Sequence, residues 1–170
     1  MLRISNILVP VDFSTGSRAC IEYATAMAET LHSNVTLFHV FERADLMATI
    51  VPGADRDADN TTDRALAQRS LEGLRAETPS RAGVSVSVVI VHGSPAEEIV
   101  SFSHDKAFDM VVIGTHGRTG FSHVLMGSVA EAVVRRASCA VLTLHIPFPA
   151  AGALTIAGTK SEMERRVVSD

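Results

Sequence analysis

Apolar runs with the β-branched character of strands buried on both faces alternate along this chain with segments of helical period. They span Ile7–Val11, Val35–Phe41, Val84–Val91 and Met110–Ile113, and a fifth, Ala140–Ile146, follows the last helical segment. Helical patterns fill the gaps: Ser17–Leu31, with Cys20, Tyr23, Ala24, Met27 and Leu31 on one face; Thr62–Glu77, with Leu66, Leu71 and Leu74; and Pro95–Lys106. The fourth, Val129–Arg136, follows Gly127-Ser128. The order β-α-β-α-β-α-β-α-β predicts an α/β fold: a parallel sheet with helices on both faces and right-handed crossovers. In such sheets ligands bind beyond the carboxyl ends of the strands, where the strand order reverses.

A length of 170 residues fits one domain. Hydrophobic residues make up 46% and charged residues 20%, which excludes wholesale disorder. The net charge of −4, with no Lys/Arg block, offers no footprint for nucleic acid. No apolar stretch approaches the ~20 residues of a membrane span. The amino-terminal apolar run is cut by Asn6, Pro10 and Asp12, unlike a signal peptide. Cys20 and Cys139 match no metal or redox spacing and read as reduced, buried small hydrophobes. A cytoplasmic protein is expected. Glu42–Asn60 is a polar, aspartate-rich insertion, and Pro147–Asp170 is a tail outside the alternation.

The chemistry concentrates after the fourth strand, in Gly114-Thr115-His116-Gly117, nine residues, then Gly127-Ser128. Glycines let a ligand approach the backbone, and a helix start adds unpaired N–H groups and the positive end of a dipole. This pattern predicts a phosphate site. Ser128 and Glu131 are spaced as a capping box, as are Ser94 and Glu97 ahead of Pro95–Lys106. Arg118 has the fork that suits phosphate; His116 and His123 are further polar residues of the same connection. Asp12, at the end of the first strand, reads either as an acceptor for ribose hydroxyls or as a cap for the helix near Ser14. If the strand order reverses between strands one and four, Asp12 and Gly114 flank one crevice. There is no GxxxxGK[ST], GxGxxG or GxSxG motif and no HExxH pair. A divalent ion, Mg2+ or Mn2+, would arrive with a nucleotide and be held mainly by its phosphates.

These residues resemble the universal stress protein family over nearly all of residues 1–146. The match rests on Ile7-Leu-Val-Pro-Val-Asp12-Phe-Ser14, on His92-Gly93, and on Gly114-x2-Gly117-x9-Gly127-Ser128, the signature of the family's ATP-binding members. The resemblance implies a single-domain, open, Rossmann-like sheet of five parallel strands in order 3-2-1-4-5, with ATP at the switch point. It implies a homodimer through the fifth strand. By position, Asp12 would hold the ribose, while Pro10, Val11 and Val40 would line the adenine pocket. Gly114, Gly117, Gly127, Ser128 and Val129 would wrap ribose and phosphates, with Met126 close by. The SGGxDS loop of related ATP pyrophosphatases is missing, which argues against adenylating chemistry.

The expected function is an ATP-binding stress-response protein, a nucleotide-dependent switch with slow or negligible hydrolysis and an unknown signalling partner. Two alternatives stand beside it: a weak ATPase or phosphotransferase in which His116 or Asp12 assists water, and a dimeric interaction module without nucleotide.

Overall fold

The computed structural model describes residues 3–41, 56–115 and 126–145, with side chains from 64 onward in the second stretch. Five strands, β1 (Asn6–Pro10), β2 (Asn34–Phe41), β3 (Val86–His92), β4 (Met110–Gly114) and β5 (Ala140–Leu144), form one parallel sheet. The strand order is β3-β2-β1-β4-β5, the order that the resemblance implies. Four helices connect them: α1 (Thr15–Leu31), α2 (Arg56–Glu77), α3 (Pro95–Asp105) and α4 (Ser128–Arg136).

Alternation along the strands sorts the apolar side chains into two layers. Ile7, Val9, Val11, Val35, Leu37 and Val112 pack with Cys20, Ile21, Ala24 and Ala28 of α1 and Leu71 and Leu74 of α2. On the other face Leu8, Phe38, Val111 and Ile113 pack with Ile99 of α3 and Ala130 and Val133 of α4. A right-handed crossover puts a helix on the face dictated by the direction of its step across the sheet. The first two steps run one way and the last two the other, which is why the helices divide in pairs.

Several local expectations change. The buried stripe of α1 is Ser17, Cys20, Ile21, Ala24, Thr25 and Ala28, whereas Tyr23 is 57% exposed and Leu31 is exposed too. Small residues form the stripe because α1 lies close over the sheet; Thr25, buried there, returns its hydroxyl to the Ile21 carbonyl at 2.9 Å. Leu66 likewise faces solvent at 54%, while Leu71 and Leu74 are buried. Helix α2 starts at Arg56, inside the segment read as an insertion. Residues 42–55 of that insertion and the tail 147–170 lie outside the described residues. Ser94 holds the N-cap position of α3 but makes no side-chain cap bond, so no capping box with Glu97 forms. Glu98 instead folds back over Gly93, whose φ is +154°, filling the space a Cβ would need.

Asp109 knots the amino-terminal ends of the central strands. Its Oδ2 accepts the N–H groups of Ser5 at 2.8 Å and Asn6 at 2.9 Å, and its own N–H donates to the Asn6 carbonyl at 3.0 Å. Hydrogen bonds to a charged group each contribute ~1.5–3 kcal/mol. Asp109→Ala is therefore expected to lower unfolding free energy by ~2–4 kcal/mol in urea titration, and Asp109→Asn by about half as much.

Both cysteines are free thiols; Cys20 is buried and Cys139 is only partly so. Burial, with the Asp12 carboxylate adding to it, pushes the Cys20 thiol from its ordinary 9.0 up to about 12. Above pH 9.0 the unfolded chain ionises this thiol while the folded chain keeps its proton. Stability from the neutral thiol is thus full below that pH and is lost as pH rises toward about 12. Native Cys20 is expected to resist iodoacetamide at pH 8 and to react once the chain is unfolded; mass spectrometry of the labelled peptide checks this.

Candidate functional site

The sheet opens between its two central strands. β1 stays registered with β2 as far as Pro10 opposite Phe38, and Val11 N–H extends the pairing to the Phe38 carbonyl at 2.8 Å. β4 stays registered with β5 as far as Gly114 opposite Leu144. Between β1 and β4 the register covers only Ile7 with Met110 and Leu8 with Val111. Each central strand follows its outer neighbour, so their carboxyl ends part and leave a crevice at the reversal of strand order.

One wall is the turn after β1. Asp12 Oδ1 accepts the Ser14 N–H at 3.0 Å, the Ser14 hydroxyl at 2.6 Å and the Ser17 hydroxyl. The Asp12 N–H donates to Ser17 Oγ at 2.9 Å. Ser14 is the N-cap of α1, accepting the Ser17 N–H at 3.2 Å. Asp12 is therefore not itself the cap; it buttresses the cap. Phe13, between them, has a left-handed φ of +64°, a conformation that costs a non-glycine residue about 1 kcal/mol or more. His39 offsets that cost. Its ring lies 4.5 Å from the Phe13 ring, and its Nδ1 donates to the Val11 carbonyl at 2.7 Å. A carbonyl only accepts, so this bond places the proton on Nδ1.

The other wall joins β4 to α4. The Gly127 N–H donates to the Thr115 carbonyl at 2.6 Å, and the Thr115 N–H donates to the Leu144 carbonyl at 2.9 Å. Thr115 Oγ1 lies 3.2 Å from His145 Nδ1. Gly127, with φ −69° and ψ 154°, is the N-cap of α4, and its carbonyl accepts the Glu131 N–H at 2.9 Å. Ser128 is consequently the first helical residue, not the cap, and Glu131 closes no capping box. The Glu131 carboxylate pairs instead with Arg135 at 2.7 Å. A Cβ on Gly127 would stand 3.3 Å from the Thr115 carbonyl oxygen, so close approach, not backbone freedom, calls for glycine here. The N–H groups of Ser128, Val129 and Ala130 have no acceptor within the helix, as at any helix start.

The expected site residues divide between the layers. Val40, Met126 and Val129 each pack, partly buried, against the apolar layer beneath α3 and α4, and Pro10 ends β1, half-buried. Val11 goes the other way: its side chain is 4% exposed in the layer beneath α1 and α2. Gly114 ends β4, and Gly127 and Ser128 start α4, on the β4 side of the reversal in strand order. Gly117, Arg118, His116 and His123 lie outside the described residues. The residues that sequence reasoning passed over are His39, Thr115 and His145. Only Thr115 carried a signal, its place inside the glycine motif.

Among the described residues, no group of three or more His, Cys, Asp or Glu side chains converges on a metal position. None of the described helices is long and apolar enough to cross a membrane.

Comparison with known proteins agrees with this fold. A relative, universal stress protein MJ0577 of Methanocaldococcus jannaschii, is 28% identical over 151 residues, which cover 81% of this chain and 93% of the relative. The solved structure of MJ0577 superimposes with a TM-score of 0.75 at 26% identity, covering 85% of this chain and 98% of that one. At lower identity the same fold recurs in an Archaeoglobus fulgidus universal stress protein solved with dAMP, at 21% identity with a TM-score of 0.54, covering 84% of this chain and 98% of that one. A universal stress protein solved with cAMP is also similar, at 19% identity with a TM-score of 0.54, covering 85% and 98%. The family model described as universal stress protein family matches residues 3–145, and by that match the chain belongs to the universal stress protein family.

Proposed function

We propose that this chain is an ATP-binding stress-response protein that acts as a nucleotide-dependent switch, with slow or negligible hydrolysis. The observation that carries the reading is the parting of β1 and β4, with Asp12 on one lip and the helix start at Gly127 on the other. A carboxylate suits ribose hydroxyls, and free N–H groups at a helix start suit phosphate. Pro10 and Val40 would line the adenine pocket, with Val11 joining them through its backbone. Gly114, Gly117, Arg118, Gly127, Ser128 and Val129 would contact ribose and phosphates, with Met126 close by. Two neighbours in the fold, those solved with dAMP and cAMP, hold adenine nucleotides, which supports the ligand class. Three donors on Oδ1 hold the Asp12 carboxylate in a fixed orientation at the end of β1, which suits a residue that positions a ligand. A Mg2+ or Mn2+ ion accompanying ATP would rely on the phosphates for most of its ligands.

Residues 1–146 would form the nucleotide-binding unit of a cytoplasmic protein, with 147–170 as an appended tail. A homodimer would pair β5, an edge strand whose residues after Ala140 are partly exposed, with its copy.

Mass spectrometry of nucleotide released by denaturing the purified protein tests the ligand directly. Melting with ATP at 100 times Kd is expected to show about 2.7 kcal/mol of added stability. No shift at millimolar ATP would sink the reading, and single-turnover assays at high protein concentration separate switch from enzyme.

A further inference from the structure

Thr115 is the junction of three elements. Its N–H joins the end of β5, its carbonyl holds the first residue before α4, and its hydroxyl meets His145. Thr115 itself is 6% exposed, whereas His145, the first residue past β5, is exposed. A threonine side chain fixed by an outside partner cannot swing, and the peptide that follows it keeps its direction. That peptide carries the carbonyl on which Gly127 sits at 2.6 Å.

We infer that His145 is a positioning residue of the crevice: by holding the Thr115 hydroxyl, it sets where Gly127 and the helix-start N–H groups stand to receive the phosphates. This rests on the adenine-nucleotide reading above and goes one step further, to a residue that touches no ligand. Donors fixed in advance bind more tightly than donors that must be ordered at the moment of binding. Without the imidazole, the Thr115 hydroxyl loses a partner and the junction is held less firmly, so part of the nucleotide's binding energy goes into restoring it.

Calorimetric titration of MgATP into the full chain tests this, with nucleotide-free melting measured beside it. Losing one neutral hydrogen bond at this position corresponds to roughly 3–10-fold in Kd. His145→Ala and Thr115→Val are each expected to weaken binding by that factor. His145→Asn, which places an amide near the position of Nδ1, and Thr115→Ser, which keeps the hydroxyl, are expected to restore affinity to within about twofold of wild type. The double variant His145→Ala/Thr115→Val is expected to bind no worse than either single one, because the two residues act as a unit. Nucleotide-free stability of the His145 variants is expected to fall by no more than the value of about one neutral hydrogen bond, with the fold kept.

Wild-type affinity in His145→Ala, or losses that add in the double variant, would overturn the assignment while leaving the nucleotide reading intact. If the wild-type chain binds no ATP, the nucleotide reading itself fails and the assignment fails with it. Because Thr115 is buried, the His145 pair decides alone should Thr115→Val not fold.

Discussion

Gly127→Val is expected to bind ATP at least ~100-fold more weakly than the wild type while keeping the sheet and its helices. The Cβ alone would stand 3.3 Å from a backbone oxygen that cannot rotate out of reach, because the same carbonyl accepts the Gly127 N–H. Two branching methyls add to that crowding, so the start of α4 must move outward. Overpacking of this kind costs ~1–3 kcal/mol, and breaking the hydrogen bond that seats the helix start adds about 1 kcal/mol to it, together near or above the ~2.7 kcal/mol of a 100-fold loss. Helix α4 keeps its anchors Ala130 and Val133 in the core, which is why the fold should survive. Circular dichroism and urea unfolding report the fold, and MgATP titration reports the site. Equal ATP affinity in this variant would remove the argument from glycine.

Asp12→Ala should show the second largest effect, and the two losses it combines can be separated. Removing the carboxylate frees Ser14 and Ser17 from their common acceptor and loosens the cap of α1, a loss of about 1–2 kcal/mol in stability. Removing a charged acceptor from ribose hydroxyls costs a further ~1.5–3 kcal/mol of binding, or roughly 10–150-fold in Kd. Asp12→Asn keeps a carbonyl oxygen for the serines but loses the charge. It should therefore melt close to the wild type and still bind ATP at least ~10-fold more weakly. If Asp12→Asn bound ATP as the wild type does, Asp12 would be a structural residue of the α1 cap and nothing more.

The strands were legible because a parallel sheet covered on both faces demands continuous β-branched runs, and this chain has them at Ile7, Val35, Val86 and Val111. Helix faces were harder to read. Ranking by hydrophobicity put Tyr23 and Leu31 inward, yet close seating of α1 selects Ser17, Ala24, Thr25 and Ala28, whose virtue is size. Ser94 does stand at the N-cap of α3 as its place before Pro95 implies, but neither capping box forms. At Ser128 the cap moves back to Gly127, whose N–H is tied to the Thr115 carbonyl just past β4, twelve residues earlier in the chain. Asp12 and the glycines announced themselves as a local motif. His39 and His145 did not, since each owes its role to a partner that only the sheet brings near.

The strand order also governs when the crevice can exist. β1 finds β2 early, as soon as residues 34–38 are made, but its other neighbour is β4, and the second wall waits for α4 at residues 128–136. A chain still emerging from the ribosome can complete the Asp12 turn and half the sheet with no opposite lip to face. Pairings so distant in sequence are the slow ones to form. Whatever the crevice binds, its capture reports that β1 has met β4 and that α4 has docked, contacts between parts of the chain more than a hundred residues apart.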